Sequence, residues 1–350
     1  MPGPMDEAFP ELLEQLIAGR PMVATQATEL LSAIFEGQLT EPQVAGLLVA
    51  LAAKAPDAEE MAGLVEAMIK ASVPVAAPEG AIDVVGTGGD HSGSINVSTM
   101  TALVVAGAGV PVVKHGNRAS SSQVGTADVL EALGVAIDLG PEGVAECVAR
   151  AGIGFCLAPR FHPAMAAVGP VRRALKVRTV FNLLGPLANP AGVKRQLVGA
   201  ADERAMVAMA EVLGRRGSVR ASIVRGEDGL DEVTLTGRTR VIDVTRSGDD
   251  GFALTESTID PASLGLATVA PDALRGGDVE VNATAVRRVL EGQHGPHREV
   301  VLLNAAQALI VAGRVADLAD GLEVAASAID AGRAAACLEE LVAASRRAAS

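Results

Sequence analysis

From residue 82 to residue 134, short β-branched runs alternate with loops dense in Gly, Ser, Thr and Asn and with apolar helical runs, in the order IDVVGTGGDHSGSINVSTMTALVVAGAGVPVVKHGNRASSSQVGTADVLEALG. No other feature of the chain narrows its fold as much. A strand that ends in a glycine-rich turn and feeds a helix, twice over, belongs to a parallel α/β sheet with right-handed crossovers. The alternation continues, with strands expected at 82–85, 110–113, 153–157, 196–199 and 221–224 and helices at 100–108, 127–133, 142–151 and 203–215. Ligands of such sheets sit beyond the carboxyl ends of the strands, where both glycine-rich loops fall.

Ahead of this region the period changes. Leu12, Leu13, Leu16 and Ile17, then Leu30, Leu31, Ile34 and Phe35, then Val44, Leu47, Leu48 and Leu51 recur at helical spacing. Asp57 with Glu60 forms a capping box, and Thr40 with Pro42 marks another helix start. The segment reads as a small helical unit with VPVAAPEG as its exit. Two stretches interrupt the later alternation. Residues 162–190 begin as helix and end in PLANP, which no regular element tolerates; they return the chain to the helical unit as a hinge. Residues 238–277 read as a strand pair and a surface excursion, and helical spacing dominates from Ala283 onward.

The expected fold is therefore α/β: a small all-helical N-terminal domain plus a large α/β domain with a mainly parallel central sheet, joined by a hinge. The helical domain spans residues 1–75, with about 163–190 returning to it; the large domain spans 80–162 and 191–350.

Composition excludes several functions. Forty-two acidic residues against 29 Lys and Arg leave a net charge of −13, which repels a nucleic-acid backbone. Apolar runs stop well short of membrane-spanning length, and the acidic start MPGPMDEAFPELLEQ is unlike a signal peptide. Cys147, Cys156 and Cys337 are scattered without ligand spacing and read as reduced thiols of a cytoplasmic protein.

Gly86-Thr87-Gly88-Gly89-Asp90 follows the first strand directly, and Asn96, Ser98 and Thr99 open the next helix. Glycine N–H groups and a helix N-terminus together make an anion site. GTGGD alone is a tight turn before an ordinary Ser/Thr cap; joined to NVST, phosphate binding becomes the better reading. The spacing fits neither a Walker loop nor GxGxxG, which counts against ATPase and dehydrogenase readings. Lys114-His115-Gly116-Asn117-Arg118 is expected after the second strand, with Ser120, Ser121 and Ser122 before the following helix. Alone, KHGNR is equally a solvated turn; beside the first loop, Lys114 offers a charge for a diphosphate.

Asp231 and Glu232 are adjacent, so both serve one site only where the backbone turns or where two cations lie between them. Their local sequence favours a solvated acidic loop. Arg172 suits a bidentate carboxylate pair, although such residues more often line a helix face. His162, between Phe161 and Pro163, reads as a structural or pocket-lining residue rather than a base. His294 and His297 read as surface residues, with HxxH prompting a check for metal.

Taken together, GTGGD, NVST, KHGNRASSS, GTADVLEALG, HPAM, VRRAL, RTVFNLLGPLANP and LDEVT, in that order over nearly the whole chain, resemble the anthranilate phosphoribosyltransferase family. The resemblance implies transfer of the 5-phosphoribosyl group from 5-phosphoribosyl 1-diphosphate to the amino group of anthranilate, in tryptophan biosynthesis. It implies Mg²⁺, in two ions, and a homodimer formed through the helical part. By this resemblance phosphoribosyl diphosphate would be held by Gly86, Gly89 and Asp90, by Ser94 and Asn96, and by Val97, Ser98 and Thr99. Lys114, His115 and Gly116 would join them, with Asn117, Arg118 and Ala119, then Ser120, Ser121 and Ser122, and Thr126. Anthranilate would meet Gly86, Asn117 and Arg172, and the metal Ser98, Asp231 and Glu232. Catalysis would rest on positioning and electrostatics, with Lys114 supporting the diphosphate.

The chain departs from the usual family pattern at His91 and Lys176, where Gly is common, and at Ser94, Ile95 and Thr126. A rival reading is a pyrimidine nucleoside phosphorylase-like enzyme of the same architecture, against which KHGNRASSS and the HPAM to VRR segment stand. A second is a non-catalytic nucleic-acid-binding relative, against which the charge stands.

Overall fold

The computed structural model describes residues 4–119, 124–248 and 251–350, so Ser120, Ser121 and Ser122 lie outside the described residues. Four helices come first: α1 (Pro4–Ile17), α2 (Ala24–Phe35), α3 (Glu41–Lys54) and α4 (Ala58–Lys70). Their buried stripes include Leu16, Leu30, Leu31, Leu47 and Leu48, positions that the helical period picks out, and Met61 on α4. The box opening α4 is formed: Glu60 N–H donates to Asp57 at 2.9 Å and Asp57 N–H to Glu60 at 3.1 Å. Gly63 lets α4 lie against α2, since a Cβ there would stand 2.2 Å from the Ala24 carbonyl.

The remaining elements are β1 (Ile82–Gly86), α5 (Val97–Gly107), β2 (Val112–Gly116), α6 (Thr126–Ala132), α7 (Pro141–Ala151), β3 (Ile153–Leu157), α8 (Ala158–Phe161), α9 (Gly169–Leu175) and α10 (Phe181–Leu184). They continue with β4 (Arg195–Gly199), α11 (Met206–Arg215), β5 (Arg220–Gly226), β6 (Thr239–Ser247), β7 (Gly251–Ile259), α12 (Val279–Leu290), α13 (Pro296–Ala312), α14 (Leu318–Asp330) and α15 (Arg333–Ala349). One sheet in the order β3-β2-β1-β4-β5-β6-β7 holds all seven strands. β3, β2, β1, β4 and β5 run parallel, while β6 and β7 add an antiparallel edge, the strand pair expected in 238–277.

The chain builds outward from β1 to β2 and β3, then returns to place β4 on the other side of β1. That reversal opens a crevice at the carboxyl ends of β1 and β4, where Gly86 pairs with Gly199. One face of the sheet packs with α5, α7, α13 and α15 in a core that includes Met100, Leu103, Val148, Leu309 and Leu341. The other face shares a core with the helical unit: Leu47 and Met61 pack in one cluster with Phe181, Leu184, Val198, Met209 and Leu213. Val168, Val171 and Val180 belong to the same cluster, so the stretch after α8 packs with the helical unit.

Two boundaries differ from expectation. The second strand runs through Lys114 and His115 to Gly116, rather than stopping at Val113. A lysine is tolerated there because its ammonium donates to the Val84 carbonyl and faces the Asp83 carboxylate. α5 starts at Val97 rather than near Met100, with Ile95 and Val97 both buried and Asn96 at the cap position. Among the described residues, no helix is long and apolar enough to cross a membrane.

Candidate active site

The GTGGD loop leaves β1 with an unusual backbone. Gly88, Gly89 and Gly93 have φ of 66°, 71° and 62°, and His91 joins them at 57°. These left-handed residues give the loop a course that only glycine adopts freely. Its grip comes from far along the chain: Gly88 N–H donates to Asp231 Oδ2 at 2.7 Å. Arg178 donates to the Gly88 carbonyl at 3.0 Å and to the Gly89 carbonyl at 3.1 Å. Among the described residues, the N–H groups of Gly89, Asp90 and His91 have no acceptor, which leaves three donors for an anion.

The carboxylates lie directly against this loop. Asp231 and Glu232 sit in a bend after β5, not in a strand, so the backbone turns them to one site as the sequence required. Gly199 and Gly86 make room for Asp231: a Cβ would stand 1.5 Å from its carbonyl oxygen and 2.5 Å from its Oδ2, respectively. Both acids are almost fully buried. Burial, aggravated by Asp90, pushes Asp231 up to about 6. Burial, then the Asp231 charge, holds Glu232 well above the ordinary carboxylate range, although Lys114 and the Ser98 N–H oppose this. The N-terminus of α5, expected to face phosphate, is thus met by Glu232 at Ser98.

These hard oxygen donors suit Mg²⁺, and a cation would relieve their mutual repulsion. Among the described residues, no group of three or more His, Cys, Asp or Glu forms a ready metal cage. The pair fits the habit of Mg²⁺, which takes one or two carboxylates and completes its shell with water and substrate phosphate.

Lys114 lies beneath the loops and is 2% exposed. Burial lowers its pKa, and Asp83, Glu232 and Asp231 oppose the fall. Asp83 is itself pushed up to about 6 by burial, against the pull of Lys114. Its oxygens accept from His115 N–H at 3.2 Å and from Asn189 Nδ2 at 2.8 Å. Asn189, from PLANP, also donates to the Val113 carbonyl at 2.9 Å, so the segment before β4 is pinned to β1 and β2. Sequence reasoning passed over Asp83 and Asn189. The available signal was an acid inside a β-branched strand, which demands a buried partner.

The rest of the first loop is braced, not free. Asn96 donates to the Val124 carbonyl at 3.2 Å and accepts from Asn282 of α12 at 2.8 Å. Ile95 N–H donates to the Leu274 carbonyl at 3.0 Å, Gly276 N–H to the Gly93 carbonyl at 2.8 Å, and Ser94 bridges Arg275. Residues 271–277, expected as part of a surface excursion, therefore clamp this loop. Thr99, buried, donates to Thr126 across the two halves at 3.3 Å.

The second loop closes on a residue that sequence reasoning did not single out. Asp128 Oδ2 accepts from Ala119 N–H and Gly125 N–H, both at 2.9 Å, stapling the two ends of the loop. Arg118 turns to Asp128 at 3.1 Å and Glu131 at 2.8 Å on α6. Asn117 is exposed and accepts from Arg118 N–H at 2.8 Å.

Arg172 lies on α9, its guanidinium 5.4 Å from the centre of the Phe181 ring. It is half-buried, burial lowers its pKa, and among the described residues no acid pairs with it. A part-desolvated guanidinium without a counter-ion is a receptor for a planar carboxylate. His115 and His162 stand with ring centroids 5.0 Å apart, and burial pushes His115 down to about 3 and lowers His162. Burial thus favours the uncharged form of both rings.

A helical bundle set against a parallel sheet, with an acid-lined crevice at its switch point, is the plan of a glycosyl transferase family: its α/β domain model matches residues 78–335 and its helical bundle domain model residues 10–72. Anthranilate phosphoribosyltransferase of Rhodopseudomonas palustris (strain HaA2) is 49% identical over 337 residues, 96% of this chain and 98% of its own. That of Azorhizobium caulinodans is 49% identical over 335 residues, 96% of each chain. The crystal structure of the Thermus thermophilus enzyme superposes with a TM-score of 0.88 at 41% identity, covering 95% of this chain and 99% of that one. The Saccharomyces cerevisiae enzyme in complex with PRPP and Mg gives 0.88 at 26% identity, covering 98% and 99%. The chain belongs to the anthranilate phosphoribosyltransferases.

Proposed function

We propose that this enzyme transfers the 5-phosphoribosyl group of 5-phosphoribosyl 1-diphosphate to the amino group of anthranilate, forming the C1–N bond as the C1–O bond to diphosphate breaks, as a step of tryptophan biosynthesis. The observation that carries the reading is the contact between the glycine loop and the buried acids: Gly88 N–H donates to Asp231, Glu232 meets the start of α5, and the N–H groups of Gly89, Asp90 and His91 stay open beside them; the guanidinium of Arg172, without an acid partner among the described residues, supplies the acceptor half. The complex of the yeast relative with PRPP and Mg supports the first half of this site.

An aryl amine is nucleophilic without losing a proton, so no strong base is needed. The barrier lies in separating an anionic leaving group from a cation-like sugar carbon, and charge and positioning lower it. The glycine loop and the α5 start at Ser98 and Thr99 hold the diphosphate, and Lys114, buried with its ammonium on the Val84 carbonyl, supports it by charge from beneath rather than by an open contact, while Asn117 and the segment 118–122 hold the phosphoribosyl part. Arg172 aligns the anthranilate carboxylate. Asp231 and Glu232, with Ser98, would hold Mg²⁺, in two ions, which when bound neutralises charge on the departing diphosphate.

The stretch 163–190 acts as the hinge between a helical domain of residues 1–75 and the large domain. The enzyme is a cytoplasmic homodimer formed through the helical domain, where Ile17 on α1 and Val49 on α3, 71% and 48% accessible, are apolar side chains open to a partner copy. Sedimentation of Ile17→Asp tests this: a species of unchanged size would place the interface elsewhere.

The direct test mixes the protein with Mg²⁺, phosphoribosyl diphosphate and anthranilate and follows loss of anthranilate fluorescence. Thymidine phosphorolysis without anthranilate consumption would overturn the reading. Arg172→Ala should raise the KM for anthranilate by about 10- to 100-fold, the worth of a charge-assisted bidentate pair. The KM for phosphoribosyl diphosphate should move far less, and equal effects would reassign the residue.

A further inference from the structure

Arg178 is not among the residues assigned to either substrate, yet its side chain holds the glycine loop directly. Its two terminal nitrogens grip the Gly88 and Gly89 carbonyls at 3.0 and 3.1 Å. Gly88 is held at both its N–H and its carbonyl, since its N–H donates to Asp231 at 2.7 Å. Arg178 follows Arg172 in the short segment between α9 and α10, just ahead of the Phe181 ring on which Arg172 stacks. That segment is fixed at its other end, where Thr179 N–H donates to Asn182 at 3.0 Å. Any shift of the glycine loop therefore pulls on the backbone that presents Arg172. A planar fork across two successive carbonyls suits this task, because it constrains orientation as well as distance.

We infer that Arg178 is a positioning residue that couples the two halves of the site, so that occupation of the diphosphate loop sets Arg172 for the acceptor carboxylate. The inference rests on the two-substrate reading given above. The Arg178 charge also acts on Asp231 and Asp202, yet its hydrogen bonds end on two neutral carbonyls and not on a carboxylate, so charge alone does not account for the fork's placement. A simple brace would stabilise the fold without linking one ligand to the other.

Magnesium diphosphate serves as the probe, because it occupies the leaving-group half without turnover. Anthranilate is titrated by fluorescence with and without it. In the unaltered protein, anthranilate binding should tighten by about five- to tenfold when magnesium diphosphate is present, the lower part of the usual range for coupled sites. Arg178→Gln should reduce that factor to below about twofold, and Arg178→Lys, which keeps the charge but loses the fork, should restore only part of it. The inference falls if the unaltered protein shows no coupling, or if Arg178→Gln keeps the full factor, even with both ligands weakened in parallel. Thermal melting reports whether Arg178→Gln folds; if it does not, Arg178→Lys decides alone, and full coupling there overturns the role. Arg172→Ala separates the two failures. If it binds anthranilate normally, the site reading itself is wrong; if it loses anthranilate while Arg178→Gln still couples, only the positioning role is wrong.

Discussion

The two glycine-rich loops leave neighbouring strands of one sheet, yet they are held in opposite ways. The first, after β1, takes its anchors from Asp231, Arg178 and Leu274, all distant in sequence, and four of its residues adopt left-handed backbone. The second, after β2, is closed by Asp128 only a few residues on, with Arg118 tied to the same helix. The first loop exists in this shape only within the completed sheet, whereas the second carries its own clasp. The buried carboxylates and the segment between α9 and α10 both meet the loop with long-range anchors.

The sharpest way to break this contrast is to remove the distant anchor. Replacing Asp231 and Glu232 together by alanine should cut Mg²⁺-dependent turnover by at least about a thousandfold, since a bound metal is worth several kcal/mol to the transition state. Steady-state rates across a Mg²⁺ series measure it, and retained activity would take both residues out of the site. Asp128→Ala should act more gently on the second loop. Freeing two N–H groups should cost about 1–2 kcal/mol of stability, as loss of a cap does, and raise the KM for phosphoribosyl diphosphate severalfold with little change for anthranilate. A loss as deep as that of the Asp231 variant would mean that the local clasp matters no less than the distant one.

Asp83 lies beneath both loops, and its protonation tests whether they share a platform. Its folded pKa, about 6, stands above the ordinary value of 3.8 because of burial. A carboxyl raised in this way contributes stability that is complete below the unfolded value and is lost as pH rises through the folded one. The share of the metal-free protein's stability that Asp83 supplies should therefore fall between about pH 4 and pH 6, read as the difference in melting temperature between the unaltered protein and Asp83→Asn. Asp83→Asn should remove its share of that slope while lowering stability overall, because Lys114 loses its buried counter-charge. An unchanged slope would show that Asp83 stays ionised throughout.

The smallest effect belongs to His91. Its φ of 57° is one that glycine adopts freely and other residues adopt at a cost of about 1–2 kcal/mol. His91→Gly relieves that strain but gives the unfolded chain more freedom, so stability should move by less than about 1 kcal/mol, with turnover nearly unchanged. A large loss of turnover would show that the imidazole touches substrate. Lys176, the other departure from the glycine pattern, is likewise left-handed, with φ 53° at the end of α9. At both positions the residue differs while the backbone shape associated with glycine is kept.

Much of the fold was legible because it is written in local periodicity. Helical spacing located α2 to α4, β-branched runs located β1 to β5, and the Asp57–Glu60 box located a helix start to the residue. Where boundaries slipped, at Lys114 and Val97, a long-range partner had overridden local preference: a lysine belongs in a buried strand only because Asp83 and the Val84 carbonyl stand beside it. The candidate site was legible as loops and a motif order. Arg178, Asn189, Asn282 and Asp128 were not singled out, because each acts through a backbone group or side chain whose position no spacing reveals.

By itself, the sequence determined a helical bundle, a mainly parallel sheet and the family to which the chain belongs, since periodicity and motif order are properties of the chain alone. Only the tertiary structure decided that Asp231 meets Gly88, that Glu232 faces the start of α5, that Lys114 lies buried over Asp83, and that Arg178 ties the segment between α9 and α10 to the loop. The reason is physical. Hydrogen-bond reach and desolvation depend on distances between residues far apart in sequence, and folding sets those distances only when the strands take their places in the sheet.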